Sequence, residues 1–278
     1  NREILDLGLK YSVNEACLPV KAYFGHVMSL KDKADYIFIP RYVSIHKGEY
    51  ICPKFGALPD MIRNSLPGLP PVITPEINLR KSEKDIMKAV YEIADILNIG
   101  RKEAKDAFNA AYNEFQKQPL EKPRPVNQNQ SVNVLLIGHP YLIYDKYLNL
   151  DLISKLNKLG ARVMTLEMYD RDLLREKASA LNKPVFWSYA TETMGLTYHL
   201  LEEGGIDGII YLTSFGCGID SFVDFMMERR IKNGSHIPYF TVTIDEHAAE
   251  AGLDTRIEAF TDTVKRSKFD ENNLSSYG

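Results

Sequence analysis

From residue 132 onward, short runs of apolar and largely β-branched residues alternate with segments of helix length, and that alternation admits few folds. Val132-Asn133-Val134-Leu135-Leu136-Ile137-Gly138, Arg162 to Leu166, Asp207 to Leu212 and Tyr239 to Ile244 read as strands. Helices are expected over Leu150 to Leu159, Thr191 to Glu203 and Ser221 to Arg230. This rhythm implies parallel strands joined by right-handed crossovers, an open α/β sheet. In such sheets ligands bind outside the carboxyl ends of the strands, where loops lead into helices. The first half reads as a partial version of the same architecture. Tyr36 to Pro40 makes one strand and Pro71 to Thr74 a weaker second, with no repeat at the level of residues.

The segment from Gln116 to Ser131 carries three prolines and no apolar period, so it cannot continue the helix before it. Domains are therefore expected over 1–117 and 132–278, joined by a linker at 118–131. Ahead of that boundary, Ser82-Glu83-Lys84-Asp85 resembles a helix start. Apolar residues then recur at Ile86, Val90, Ile93 and Leu97 and, after Gly100, at Ala104, Phe108, Ala111, Tyr112 and Phe115. This is the spacing of one buried helical face, and it predicts two helices bridging the halves. The opening Asn1 to Gly8 reads as a helix already under way, as if a starting strand were missing.

A chain of 278 residues, 45% hydrophobic and 26% charged, suits two ordinary globular cores. Its net charge of -3 arises from 34 basic and 37 acidic residues without a long basic run, which argues against nucleic acid as the main partner. No apolar stretch approaches the roughly 20 residues of a membrane span. Nothing at the start resembles a signal peptide, so a cytoplasmic location is expected. There is no G-x-G-x-x-G, P-loop or G-x-S-x-G, so nucleotide binding and hydrolase chemistry have no local signature.

The chemistry is carried by the three cysteines, Cys17, Cys52 and Cys217. Each stands on an expected loop beside proline or glycine: Ala16-Cys17-Leu18-Pro19, Ile51-Cys52-Pro53-Lys54 and Phe215-Gly216-Cys217-Gly218. Cys17 reads as part of a turn stopped by Pro19. The glycines beside Cys217 leave room for a bulky ligand and allow backbone angles closed to other residues. An odd count without close pairing is a poor disulfide framework, so reduced thiols or metal thiolates are expected. Taken singly, each is also open to the plainer reading of a small buried hydrophobe. Zinc sites usually show close ligand pairs, and none is present. A four-iron four-sulfur cluster accepts ligands scattered through the sequence, and three thiolates leave one iron open to water, a side-chain oxygen or substrate.

Several runs resemble the acyl-CoA dehydratase activase-related family, relatives of the cluster-binding subunits of 2-hydroxyacyl-CoA dehydratases and benzoyl-CoA reductases. They are Glu15-Ala16-Cys17-Leu18-Pro19-Val20-Lys21 with Gly25-His26, Asp35 to Arg41, Tyr50 to Lys54 and Leu58-Pro59-Asp60. Phe215 to Ser221, Thr243 to His247 and Ala251 to Phe260 are similar to its C-terminal motifs. Ser12 stands where many members carry a second cysteine, and Ile219 where many carry proline. The resemblance implies two flavodoxin-like, Rossmann-like domains with parallel sheets, and a 4Fe-4S cluster held in the cleft between them by Cys17, Cys52 and Cys217. It also implies a separate ATP-hydrolysing activator with its own cluster, which injects a low-potential electron under anaerobic conditions.

Other polar residues are read around that centre. Glu15 orients a ligand or relays a proton, unless it caps the next helix. Ser214 is placed to offer an oxygen to the open iron. His247, with Asp245, Glu246 and Arg256, follows a strand end and forms a supporting network or a substrate contact, with helix capping by Asp245 as the alternative. Glu15, Ser214 and His247 are thus the catalytic candidates. Lys21 and Lys54 offset cluster charge or are simply solvated, and His26 bonds a backbone group in a turn. The leading expectation is a cluster-binding component of an ATP-dependent reductase or 2-hydroxyacyl-CoA dehydratase-like lyase, acting on an acyl-CoA or other small substrate and compatible with a homodimer. The alternative is an accessory protein that delivers electrons or cluster and has no substrate of its own.

Overall fold

The computed structural model describes residues 1–117, 131–248 and 250–275, with side chains to Phe269. The chain is α/β with parallel sheets and divides into two compact units. The first comprises Asn1–Ala16, Val20–Pro119 and Val185–Tyr189; the second comprises Cys17–Pro19, Leu120–Pro184 and Ala190–Gly278. The linker expected at 118–131 lies, apart from Ser131, outside the described residues.

The first unit opens with α1 (Arg2–Tyr11), whose first turn is capped by Asn1 accepting from the Ile4 amide. It continues through α2 (Leu18–Leu30), β1 (Ile37–Phe38), β2 (Arg41–Ser44), α3 (Pro53–Ser65), β3 (Val72–Ile73), β4 (Glu76–Asn78), α4 (Ile86–Ile96) and α5 (Arg101–Gln116). β1 pairs with β3 and β2 with β4, both parallel, in the registers Ile37↔Val72 and Arg41↔Glu76. Pro40 and Pro75 fall at the same rung between those pairs, where neither has an amide to donate. The chain bridges the gap with Ile39 N–H to Ile73 O at 2.9 Å and Arg41 N–H to Pro75 O at 2.9 Å. Two opposed prolines thus divide one ribbon into two short ladders.

Ser82 starts the later helices as its sequence suggests, accepting from the Lys84 amide ahead of a short 3-10 turn that runs into α4. The apolar face expected along α4 and α5 closes only in part. Of the expected positions on α4, Ile86, Val90 and Ile93 are half-buried and Leu97 is exposed, the buried residues being Ala89 and Ala94 instead, and Tyr112 and Phe115 on α5 remain exposed. Periodicity marks which face of a helix is apolar; whether anything covers that face is a tertiary matter.

In the second unit, β5 (Val132–Ile137), β6 (Ala161–Thr165), β7 (Gly208–Ser214) and β8 (Tyr239–Ile244) form one parallel sheet in the order β6-β5-β7-β8. The helices α6 (Pro140–Ile143), α7 (Leu152–Lys158), α8 (Arg171–Ala178), α9 (Ser188–Glu203), α10 (Gly218–Gly234) and α11 (Glu250–Ser275) complete it. Every residue of β7 is buried, as a central strand covered on both faces requires. Chain order reverses between β5 and β7, so the carboxyl ends of these two neighbours mark the switch point at which open α/β sheets bind ligands.

Candidate metal centre

All three cysteines stand directly before a helix rather than in open loops. Cys17 precedes Leu18 of α2, Cys52 holds the cap position of α3, and Cys217 holds that of α10. Pro19 therefore does not stop a turn. It lies in the first turn of α2, as Pro53 lies in that of α3, where an absent amide costs nothing because first-turn amides have no partner within the helix. The partial positive charge of a helix N-terminus favours a thiolate, so each cysteine starts from a position suited to ligation. Gly216, at φ 78°, makes the reversal that brings the chain from β7 into α10.

Cys17 and Cys217 meet in the second unit. The Leu18 amide donates to Ser214 Oγ at 3.0 Å in a buried bond, and the Cys217 amide donates to Ser214 O at 3.0 Å. Ser214 also donates through Oγ to Phe215 O at 3.2 Å. One serine at the end of β7 thus ties the Cys17 turn to the Cys217 turn, and Cys17–Pro19 counts with the second unit although its chain neighbours belong to the first. Ser214→Ala would leave the Leu18 amide buried without its acceptor, a loss of about 1–3 kcal/mol. Chemical denaturation of the variant reads this directly, and wild-type stability would dismiss the clasp.

The surroundings of Cys217 oppose its helix. Burial pushes its thiol up to about 12, and the adjacent Asp220 carboxylate adds to the rise, while the Asp220 amide pulls the other way and Cys17 adds a smaller push. Asp220 is only 1% exposed. It sits on the inward face of α10 with Val223, Met227 and Ile231, and Thr213 Oγ1 donates to its Oδ2 at 3.5 Å. Its Oδ1 has no well-aligned hydrogen bond but faces His139 Nε2 at 3.2 Å. His139 follows β5, so this pair spans the switch point. Neither residue stood among the sequence candidates. The signal for Asp220 was a carboxylate in the 220, 223, 227, 231 stripe of an otherwise apolar helix face.

The remaining candidates lie elsewhere. Cys52 is half-buried in the first unit, in a segment where the Ile51 amide donates to Val43 O at 3.2 Å. Glu15 is exposed in the turn before Cys17. His247 is exposed after β8, and its amide donates to Asp245 Oδ1 at 2.8 Å, which makes Asp245 a turn cap. Arg256 stacks over Phe240 with 4.9 Å to the ring centroid, and it also lines a cavity of about 220 Å³ with Asp245. Lys21 is 3% exposed, against the expectation of solvation, and His26 lies on an exposed face of α2 rather than in a turn.

Among the described residues, no three His, Cys, Asp or Glu side chains gather into a group able to hold a metal ion. The donors are nevertheless of the type an iron-sulfur cluster takes: thiols at helix starts, two of them on turns that Ser214 ties together at the end of β7. Among the described residues no helix is long and apolar enough to cross a membrane. No curated protein matches the chain. Residues 1–169 match the family described as the CoA enzyme activase uncharacterised domain (DUF2229), and because that match covers more than half of the 278 residues, the chain belongs to this family.

Proposed function

We propose that this chain is the cluster-binding component of an activator-dependent CoA-enzyme system, with Cys17, Cys52 and Cys217 as the ligands of a 4Fe-4S cluster. The observation that carries the reading is the coupling of Cys17 to Cys217, residues remote in sequence that one buried serine draws to the end of β7. The family description adds an association with the activation of CoA enzymes. The matched residues include Cys17 and Cys52, and Cys217 lies beyond them.

When bound, such a cluster supplies a low-potential electron and, at an iron without a thiolate, a Lewis acid. The protein's own residues do the rest. Ser214 holds the Cys17 turn in place, and Cys17, Cys52 and Cys217 each stand at the N-terminus of a helix, α2, α3 and α10, whose partial positive charge favours a thiolate. The proposed partners are an ATP-hydrolysing activator and an acyl-CoA or similar small substrate for reduction or dehydration, in an anaerobic cytoplasm.

Anaerobic reconstitution tests the reading. The wild-type chain should take up about four irons with matching sulfide, and Cys17→Ala, Cys52→Ala and Cys217→Ala should each lower that content. Wild-type iron in all three variants, or no iron in the parent, would sink the proposal.

A further inference from the structure

We infer that Asp220 and His139 form a buried charge-setting pair behind the thiolate site, positioning residues that act through Cys217 without binding iron. This inference rests on the cluster reading above. Asp220 is 1% exposed and adjoins Cys217, while its Oδ1 faces His139 Nε2 at 3.2 Å. The His139 side chain is 15% exposed and stacks on Tyr141, with ring centroids 4.9 Å apart at 12°. The ring is therefore held in place from one side while it meets the carboxylate on another.

The two residues come from the carboxyl ends of adjacent strands, β5 and β7, whose register runs through Ile137↔Tyr211. A carboxylate this buried is costly unless a donor or cation answers it. His139 Nε2 is the polar group that faces Oδ1, at 3.2 Å, and Thr213 supplies a weak bond to Oδ2 at 3.5 Å. The pair thus sets how much negative charge reaches Cys217. Carboxylate–imidazole supports behind metal ligands tune the centre in this outer position.

The two partners should act in opposite directions, which a merely structural role would not produce. Asp220→Asn keeps the shape and removes the negative charge, so the cluster becomes easier to reduce. His139→Ala removes the imidazole that faces the carboxylate, so the cluster becomes harder to reduce. Each change is expected to alter the oxidised-to-reduced ratio at a fixed potential about tenfold, roughly 59 mV for a one-electron couple. His139→Gln retains an amide donor and should restore most of the wild-type value.

A dye-mediated dithionite titration of the reconstituted full chain, followed by absorbance, reads these shifts, and iron content and thermal unfolding are recorded for every variant. Opposite shifts with rescue by glutamine support the pair. Shifts of one sign, or none, in variants that keep their iron overturn it while the cluster reading stands. Mössbauer spectra showing Asp220 bound to iron would also overturn it. If the parent chain takes up no iron, the cluster reading fails first and takes this inference with it.

Discussion

In the metal-free protein, Cys217 is expected to react with iodoacetamide at pH 8 about a hundredfold more slowly than an unhindered cysteine. The thiolate is the nucleophile, and the Cys217 thiol is pushed up to about 12 by burial and by Asp220. Against the ordinary value of 9.0, its thiolate fraction falls by about three powers of ten. A more basic thiolate is more nucleophilic, and a Brønsted slope of about 0.4–0.5 returns a little over one of those powers. Roughly one and a half to two powers remain, before any shielding by the turn around Ser214. The rate should climb close to tenfold per pH unit from pH 8 to 10, since the group is still far below its midpoint. Asp220→Asn removes one of the two main causes and should raise the rate at pH 8 while leaving the slope. Alkylation followed by peptide mass spectrometry separates the three cysteines. A Cys217 rate equal to that of a free thiol would show that the helix N-terminus outweighs burial and the carboxylate.

The strands of the second unit were the most legible part of the chain, because strands covered on both faces are written as largely apolar, β-branched runs, whereas β2 and β4 in the first unit carry no such run and were not expected. Val132 to Ile137 and Tyr239 to Ile244 could be placed from composition alone, and β7 begins one residue later than expected and ends two residues later, at Ser214. Helices that begin with proline were hidden. Pro19 reads as the stop of a turn and Pro53 as part of a loop, yet each sits in the first turn of a helix, a position that suits proline. The cysteines were thus recognised as a set but assigned to loops. Nor does the sequence show that Cys17 sides with the second unit. The Leu18 amide makes a buried bond to Ser214, far along the chain, and local pattern has no way to encode such a pairing. Of the two readings open for Lys21, solvation falls, because the residues around it in α2, from Leu18 to Ala22, are mostly buried.

The largest expected loss of stability comes from Gly8→Ala or Gly25→Ala in the first unit. α1 and α2 cross so closely that each glycine meets the other helix's backbone. A Cβ on Gly8 would stand 1.8 Å from Lys21 O, and one on Gly25 would stand 1.8 Å from Ile4 O. Backbone cannot swing aside as a side-chain end can, so the helices must separate. Taken alone, alanine in a helix is better than glycine by about 1 kcal/mol. Overpacking a closed contact costs about 1–3 kcal/mol and sometimes more, and a clash with rigid backbone belongs at the upper end. The net loss should therefore reach about 2 kcal/mol or more for either change. Gly252 provides the control, since it lies in α11 and nothing stands within 4 Å of a Cβ placed there. Gly252→Ala should stabilise the protein by about 0.5–1 kcal/mol, so the same substitution changes sign with the space around it. Denaturant midpoints measured on all three variants decide the matter, and neutral results at Gly8 and Gly25 would mean that the crossing is looser than described. Because α2 begins immediately after Cys17, a forced separation of the two helices also shifts the residue that carries the first thiol. Gly25→Ala should for that reason lower iron uptake as well as stability, whereas Gly252→Ala should leave iron uptake unchanged.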